Sequence, residues 1–336
     1  MTTKDISFII PVFNRPEEVN ELLQSFTSLN GEKDFEIVIV EDGSTVKSDK
    51  IIESYKKALN IAYFFKPNSG PGDSRNFGMK QAKGNYFIIL DSDCILPKNY
   101  LIEVLNELNV NYADCFGGPD AAHESFTSIQ KAINFAMTSF ISTGGIRGRK
   151  DSVNKFQPRS FNMGISKKAC EATNGFGNIH PGEDPDLSIR LTKLGFKTAL
   201  IEKAFVYHKR RISWSKFYKQ VHKFGSVRPI LNTWHPETIK LTYWFPSIFC
   251  LGLLLALVLL LFENYVPIVL YGFYFSIAFI IALMKTRSIK VSIFSMFAIC
   301  IQFLGYGYGF FKSTIKLASS KKNIEERFPQ LFFKLK

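Results

Sequence analysis

Two acids standing two residues apart at the end of an unbroken apolar run are the first feature of this sequence that could do chemistry. The run is Tyr86-Phe87-Ile88-Ile89-Leu90, and Asp91-Ser92-Asp93 follows it. Aliphatic and aromatic residues with no polar face predict a strand buried on both sides, as in the centre of a parallel sheet. Residues i and i+2 of a strand leave on one face, so Asp91 and Asp93 should point together beyond its carboxyl end, where α/β sheets bind ligands. Two carboxylates aimed at one point repel unless a cation lies between them, and a hard divalent ion such as Mg2+ or Mn2+ holding substrate phosphates meets that need. The other reading is a turn or the start of a helix, because Asp-Ser-Asp comes shortly before Pro97.

A second acidic group, Glu183-Asp184-Pro185-Asp186, opens a segment in which Leu187, Leu191 and Leu194 predict one apolar helical face. Acids in a first turn answer the helix dipole, and Asp184-Pro185 makes a good cap and first residue. The same carboxylates could take a proton from an attacking hydroxyl. Arg75 lies one turn into a helix opened by Gly70-Pro71-Gly72, where a cation beside helix amides suits a phosphate; a surface arginine behind a tight turn would read the same. Gly70-x-Gly72 has no third glycine at dinucleotide spacing, and Gly-Lys-Ser/Thr does not occur, so neither a dinucleotide fingerprint nor a P-loop is supported. His208, after Ala204-Phe205-Val206-Tyr207, reads either as a ligand or as a structural residue.

The elements that must position these groups alternate. Ile6–Val12, Phe35–Val40, Ile61–Phe65 and Tyr86–Leu90 predict strands. Val19, Leu22, Leu23 and Phe26 give the buried face of a helix after the first, and helices follow the second and third. Four strand-helix alternations predict a parallel sheet with right-handed crossovers, a nucleotide-binding α/β half.

At 336 residues the chain has room for one such domain and something more. The something more is apolar: Phe245–Phe262, Val266–Met284 and Val291–Phe311 each approach the roughly 20 residues that cross a bilayer. Residues 1–12 read as a strand rather than a signal peptide, so the first part of the chain should stay in the cytosol. The five cysteines, Cys94, Cys115, Cys170, Cys250 and Cys300, show no paired or metal-type spacing, which fits a reducing compartment. A net charge of +13 would permit nucleic acid, but no nucleic-acid module is visible. The basic and aromatic stretch from Lys209 to Phe224 reads instead as an interfacial helix on anionic lipid or as a clamp on donor phosphates.

Pro11-Val12-Phe13-Asn14, Glu41-Asp42-Gly43-Ser44, Asn68 to Asn76 and Asp91-Ser92-Asp93, in this order and spacing, resemble the nucleotide-sugar glycosyltransferases of family 2, which have the GT-A fold. The resemblance runs from about residue 5 to 225. Asn162-Met163-Gly164 looks like the family's strand beside the donor sugar, and Gly182 to Leu187 like its acceptor-side acidic motif. The resemblance implies Asp42 at the nucleobase, Asp91 and Asp93 at the ribose and the metal-bound diphosphate, Asp184 as base, and His208 near the metal. It extends the donor site to Pro11, Phe13, Asn14, Glu41, Asn68 and Gly72, and to Arg75, Ser92, Asn162, Arg210 and Arg211. Asp93, Asp91 and His208 would hold Mn2+ or Mg2+. Processive polysaccharide synthases of this family carry Gln-x-x-Arg-Trp where this chain has Arg210-Arg211-Ile212-Ser213-Trp214, so that pattern is absent.

The expectation is an α/β protein with a GT-A-type (Rossmann-like), mostly parallel sheet flanked by helices, followed by C-terminal transmembrane helices. Residues 1–228 would form the cytosolic domain, with a donor half at 1–95, an acceptor half at 96–208 and an interfacial stretch at 209–228. Residues 229–336 would form a multi-pass domain in the inner or plasma membrane. The basic Lys285 to Lys290 loop fits a cytoplasmic side, whereas Lys312, Lys316, Lys321 and Lys322 do not, so 291–311 either spans or dips in and returns. Its Gly305-x-x-x-Gly309 could pack on a neighbouring helix. Ser142–Pro158 reads as a long loop, either an active-site lid or an insertion. Three functions compete: an inverting transferase moving sugar from a nucleotide-sugar, a UDP-sugar first, to a lipid-linked or glycan acceptor; a nucleotidyltransferase that makes the activated sugar; and a non-catalytic membrane scaffold.

Overall fold

The computed structural model describes residues 1–121, 126–144, 157–208, 213–319 and 322–333. Arg210, Arg211, Lys321 and most of the predicted 142–158 loop lie outside the described residues. Along the chain run β1 (Ile6–Val12), α1 (Pro16–Thr27), β2 (Glu36–Asp42), α2 (Asp49–Tyr55), β3 (Ile61–Lys66), α3 (Pro71–Gln81) and β4 (Tyr86–Leu90). Next come β5 (Cys94–Ile95), α4 (Tyr100–Val110), β6 (Cys115–Gly117), β7 (Asp120–Ala121), α5 (Ser128–Thr138) and α6 (Phe140–Thr143). Then follow β8 (Asn162–Ser166), α7 (Lys167–Thr173), α8 (Glu183–Lys193), β9 (Thr198–Leu200), β10 (Val206–His208) and α9 (Trp214–Trp234). The long apolar helices are α10 (Phe245–Leu260), α11 (Val266–Thr286) and α12 (Ile289–Ala318). The chain divides into two compact units, one of Met1–His123, Gly148–Lys209 and Phe332–Lys336, the other of Glu124–Arg147 and Arg210–Leu331.

In the first unit the predicted alternation gives a seven-stranded sheet in the order β3-β2-β1-β4-β8-β6-β9. β1 pairs in parallel with β2 and β4, and β2 with β3, whereas β8 runs antiparallel to both β4 and β6. Order 3-2-1-4 leaves a topological switch between β1 and β4, the place where such sheets open a crevice for ligands. Both faces of β4 are buried, as its unbroken apolar run requires. Tyr86, Ile88 and Leu90 join one core cluster with Phe8, Ile10 and Phe26, while Phe87 and Ile89 join another with Ile9, Val38 and Val40. Gly78 brings α3 down onto β1, since a Cβ there would stand 2.7 Å from Ile9 Cγ2. The predicted apolar face at 187–194 is shorter than expected. Leu187 and Leu191 are buried, but α8 stops at Lys193 and Leu194 is exposed.

In the second unit three stretches, Leu241–Leu260, Val266–Thr286 and Ile289–Ala318, are long and apolar enough to cross a membrane. The third is an unbroken helix of 30 residues, roughly 45 Å at 1.5 Å per residue, so it does not dip in and return within 291–311. It is also the hub: 44% of its apolar window is buried, against 11% for each of the others. Val291, Ser295, Ala298, Gln302, Gly305 and Gly309 are buried at the spacing of one helical face. Gly305 and Gly309 pack against α9 as the small-residue spacing predicts. A Cβ on Gly305 would meet Val221 Cγ2 at 2.6 Å, and one on Gly309 would run into His222 O. The second compact unit takes in α5 and α9 as well as the three apolar helices. Phe217 and Val221 of α9, with Ile133, Ala136 and Met137 of α5, share one apolar cluster with Ala298, Ile299 and Phe303 of α12. Lys216, Lys219 and Lys223 line the exposed side of α9.

Candidate active site

Strand β4 stops at Leu90, and a turn closed by Cys94 N donating to Asp91 O (3.1 Å) carries the chain into β5. Helix α4 begins only at Tyr100, so Asp91 and Asp93 do not cap it. What holds the two acids is a small second sheet, β5-β10-β7. β10 pairs antiparallel with β5, setting His208 opposite Cys94, and parallel with β7, setting Val206 opposite Asp120. That register puts His208 Nε2 3.1 Å from Asp93 Oδ1 and 4.0 Å from Asp91 Oδ2, and its Nδ1 3.9 Å from Asp120 Oδ2. Phe161 stacks on the imidazole at 4.9 Å between ring centres. Across the switch point, Arg15 Nη1 reaches Asp93 Oδ2 at 3.3 Å from the loop after β1.

These residues fit a small divalent cation. Two carboxylates, 3.1 Å and 4.0 Å from one imidazole nitrogen, supply with it hard oxygen and borderline nitrogen donors, which suit Mg2+ or Mn2+. The Cys94 thiol also lies within 4.8 Å of the Asp93 and His208 donor atoms. Burial, with the neighbouring Asp93 and Asp91 charges, pushes its pKa well above the ordinary thiol value, which favours the protonated thiol.

The donor-side loops are tied together by their own polar groups. Asp42, at the end of β2, takes Lys66 Nζ at 2.7 Å and Ser69 N at 2.9 Å on Oδ1, and Gly70 N at 2.9 Å on Oδ2. Its carboxylate thus fixes the Asn68-Ser69-Gly70 turn, while Asn68 Nδ2 donates back to Asp42 O at 2.9 Å. Lys66 also pairs with Asp73 at 3.1 Å and contacts Ser69 Oγ. Asn14, at φ +54, accepts from Thr45 N and Val46 N, binding the loop after β1 to the loop after β2. Pro11 is part-buried in β1, and Phe13 just beyond it is 51% exposed. Ser92 is buried in the turn between Asp91 and Asp93. Gly72 is needed where α3 meets the Phe176-Gly177 loop, since a Cβ would stand 2.7 Å from Gly177 O.

Three predicted donor residues are buried and held by polar groups of the protein itself. Arg75 is 3% exposed and gives Nη2 to Asp91 Oδ1 (2.9 Å) and Nη1 to Glu183 Oε1 (3.0 Å), so it braces two acids. Burial alone would lower its pKa, but the Asp91 and Glu183 charges more than offset that and raise it. Glu41 is fully buried on the opposite face of β2 from Asp42, accepting from Ser48 N at 3.0 Å. Asn162 is fully buried as well, its amide spent between Tyr100 Oη (2.6 Å) and Ala204 O (2.7 Å).

The acids that open α8 divide by partner. Glu183, 3% exposed, is held by Arg75 and by His180 Nδ1 at 3.0 Å. Burial raises its pKa, but His180 and Arg75 outweigh burial and bring it down to about 2. Asp186 is paired with Arg190 at 2.9 Å. Asp184 is part-exposed, 3.8 Å from Arg159. The residues the sequence reading missed are Arg15, Lys66, Asp120, Arg159, Phe161 and His180. Only Lys66 had a local signal, a charge ending an apolar strand just before Pro67.

Residues 7–173 match the model of Glycosyl transferase family 2. An uncharacterized glycosyltransferase of Rickettsia bellii is 40% identical over 98 residues, 29% of this chain and 14% of that protein. The poly(ribitol-phosphate) beta-N-acetylglucosaminyltransferase TarS of Staphylococcus aureus is 32% identical over 111 residues, 32% of this chain and 19% of TarS. The matches therefore span less than a fifth of either relative's length. Among solved structures, the mannosyltransferase PcManGT from Pyrobaculum calidifontis, in complex with GDP-Man and Mn2+, aligns with a TM-score of 0.57. That alignment covers 89% of this chain and 87% of PcManGT at 13% identity, a likeness of fold. All four donor-side motifs fall inside the matched range and sit on the sheet order described above, and so the chain carries a glycosyl transferase family 2 domain on a GT-A-type fold.

Proposed function

We propose that this chain is a membrane-anchored, inverting, metal-dependent glycosyltransferase. It moves a sugar from a nucleoside-diphosphate sugar, with a UDP-sugar first, to a hydroxyl or phosphate of a membrane-associated acceptor. The observation that carries this reading is the Arg75 bridge, which joins Asp91 on the cation side to Glu183 beside Asp184 on the acid-motif side. One buried guanidinium fixes the spacing of two sites that transfer needs at once.

In this reading Asp93, Asp91 and His208 hold Mn2+ or Mg2+, which when bound neutralises charge on the departing diphosphate. The Asp42-anchored turn and Asn14 shape the nucleoside end. Asp184 accepts the proton of the acceptor hydroxyl as its oxygen bonds to the anomeric carbon, and the bond from that carbon to the diphosphate oxygen breaks. Attack from the far side of the anomeric carbon inverts it. Two matched relatives carry the names poly(ribitol-phosphate) beta-N-acetylglucosaminyltransferase and poly(ribitol-phosphate) beta-glucosyltransferase, which supports a surface-polymer or lipid-linked glycan acceptor. The three long apolar helices support a membrane anchor, and the reading takes it as multi-pass in the inner or plasma membrane with the catalytic unit in the cytoplasm.

The test is calorimetric titration of the detergent-purified protein with UDP, GDP and dTDP, each with and without Mn2+, beside Asp93→Asn. Binding of one nucleotide only with metal, lost in the folded variant, is the expected outcome. A folded wild type that binds none of them would sink the reading.

A further inference from the structure

Phe332 and Phe333 belong to the first unit, far in sequence from what they touch. Phe332 forms an antiparallel bridge with Ile179, and Phe333 N donates to Asn178 O at 3.1 Å. Backbone contacts therefore zip this segment onto the stretch that leads into the acid motif. The Phe333 ring then lies against Gly70 so closely that a Cβ built there would stand 2.4 Å from its Cδ2. The ring centre is also 6.0 Å from that of His180, the two planes tilted by 53°.

Both neighbours belong to the machinery already described. Gly70 donates its N–H to Asp42 and precedes α3, which carries Arg75. His180 pairs with Glu183, one residue before Asp184. Gly70 stands at φ +97, so a side chain there would be strained by its backbone as well as blocked by the ring. A single apolar ring, with no proton to give and no charge, thus touches the donor-side turn and the acid motif together.

We propose that Phe333 is a positioning residue for transfer: its ring holds the Asp42-bound turn at Gly70 in register with His180. This rests on the transferase reading for its consequence, though the contact itself does not. A ring that sets the turn should act on donor binding and leave the proton-transfer step alone.

Phe333→Ala tests it, with Phe333→Leu as the conservative partner. Both variants keep the Phe332 bridge and the bond to Asn178, which use backbone atoms, so the fold should hold. Hydrogen exchange at the Ser69 and Gly70 amides should quicken on the order of tenfold in Phe333→Ala, with the rest of the sheet unchanged. The donor KM should rise on the order of tenfold with kcat nearly constant, and Leu should restore most of both. Unchanged exchange at Ser69 and Gly70, or a fall in kcat at constant KM, overturns the inference while leaving the transferase reading in place. A uniform rise in exchange across the unit also overturns it, because that is general loss of stability. Wild-type protein that transfers no sugar and binds no nucleotide overturns the transferase reading, and the role of Phe333 in transfer with it.

Discussion

The acids after β4 and the acids that open α8 come from the same two residue types and lie in the same unit, yet their surroundings differ. Asp91 and Asp93 share one imidazole, and each also meets an arginine from a different element. Their charges converge, and convergence favours a cation. Glu183, Asp184 and Asp186 are distributed instead, to Arg75 and His180, to Arg159, and to Arg190. Distribution ties each of them to a different part of the chain. Neighbouring carboxylates in sequence therefore say little about shared chemistry, since consecutive residues of a helix point about 100° apart.

The sharpest way to break this comparison is Asp184→Asn. Proton abstraction by a positioned carboxylate contributes about 10²–10⁴-fold, so transfer should fall by that factor while calorimetric donor binding persists. Retained transfer would remove Asp184 as base and erase the contrast within α8.

Glu183→Gln should do the reverse. Taking one partner from a buried ion pair costs about 3–5 kcal/mol, so the variant should lose stability in urea or thermal unfolding. Nucleotide binding per folded molecule should change far less. A Glu183→Gln protein as stable as wild type would show that the Arg75 brace holds nothing.

A smaller effect is expected from pH. The folded Glu183 carboxyl is lowered from 4.5 to about 2, mainly because His180 and Arg75 outweigh the cost of burial. A depressed carboxyl binds fewer protons folded than unfolded, so its contribution is complete above about pH 4.5 and is lost as pH falls toward 2. Unfolding midpoints across that window should drop less steeply in Glu183→Gln than in wild type. Parallel slopes would mean that the acid sensitivity comes from other carboxylates.

Much of the frame was legible in the residues. Unbroken apolar runs marked β1, β2 and β4, because a strand buried on both faces has no room for polar alternation. The helices of the second unit were visible for a similar reason, and the Gly305-x-x-x-Gly309 spacing announced a close helix contact that α9 supplies. The partners of Arg75 were not legible, because its neighbours in sequence describe a helix N-terminus while those partners are 16 and 108 residues away. Asn162 and Glu41 were likewise read from motif position, although the polar groups that claim them lie on other elements. No pattern in Gly118-Pro119-Asp120 points to the β10 pairing that sets Asp120 beside His208.

The sequence by itself determined which segments are strands and helices, where the apolar helices lie, and which acids end β4 or open α8. Those are local properties, set by side-chain period and by the few residues on either side. Only the tertiary structure decided which acids converge, which are braced, and that a phenylalanine at position 333 rests on Gly70. The role of a charged group follows from the charges and dipoles within a few ångströms of it, and those arrive by strand pairing and helix packing from distant parts of the chain.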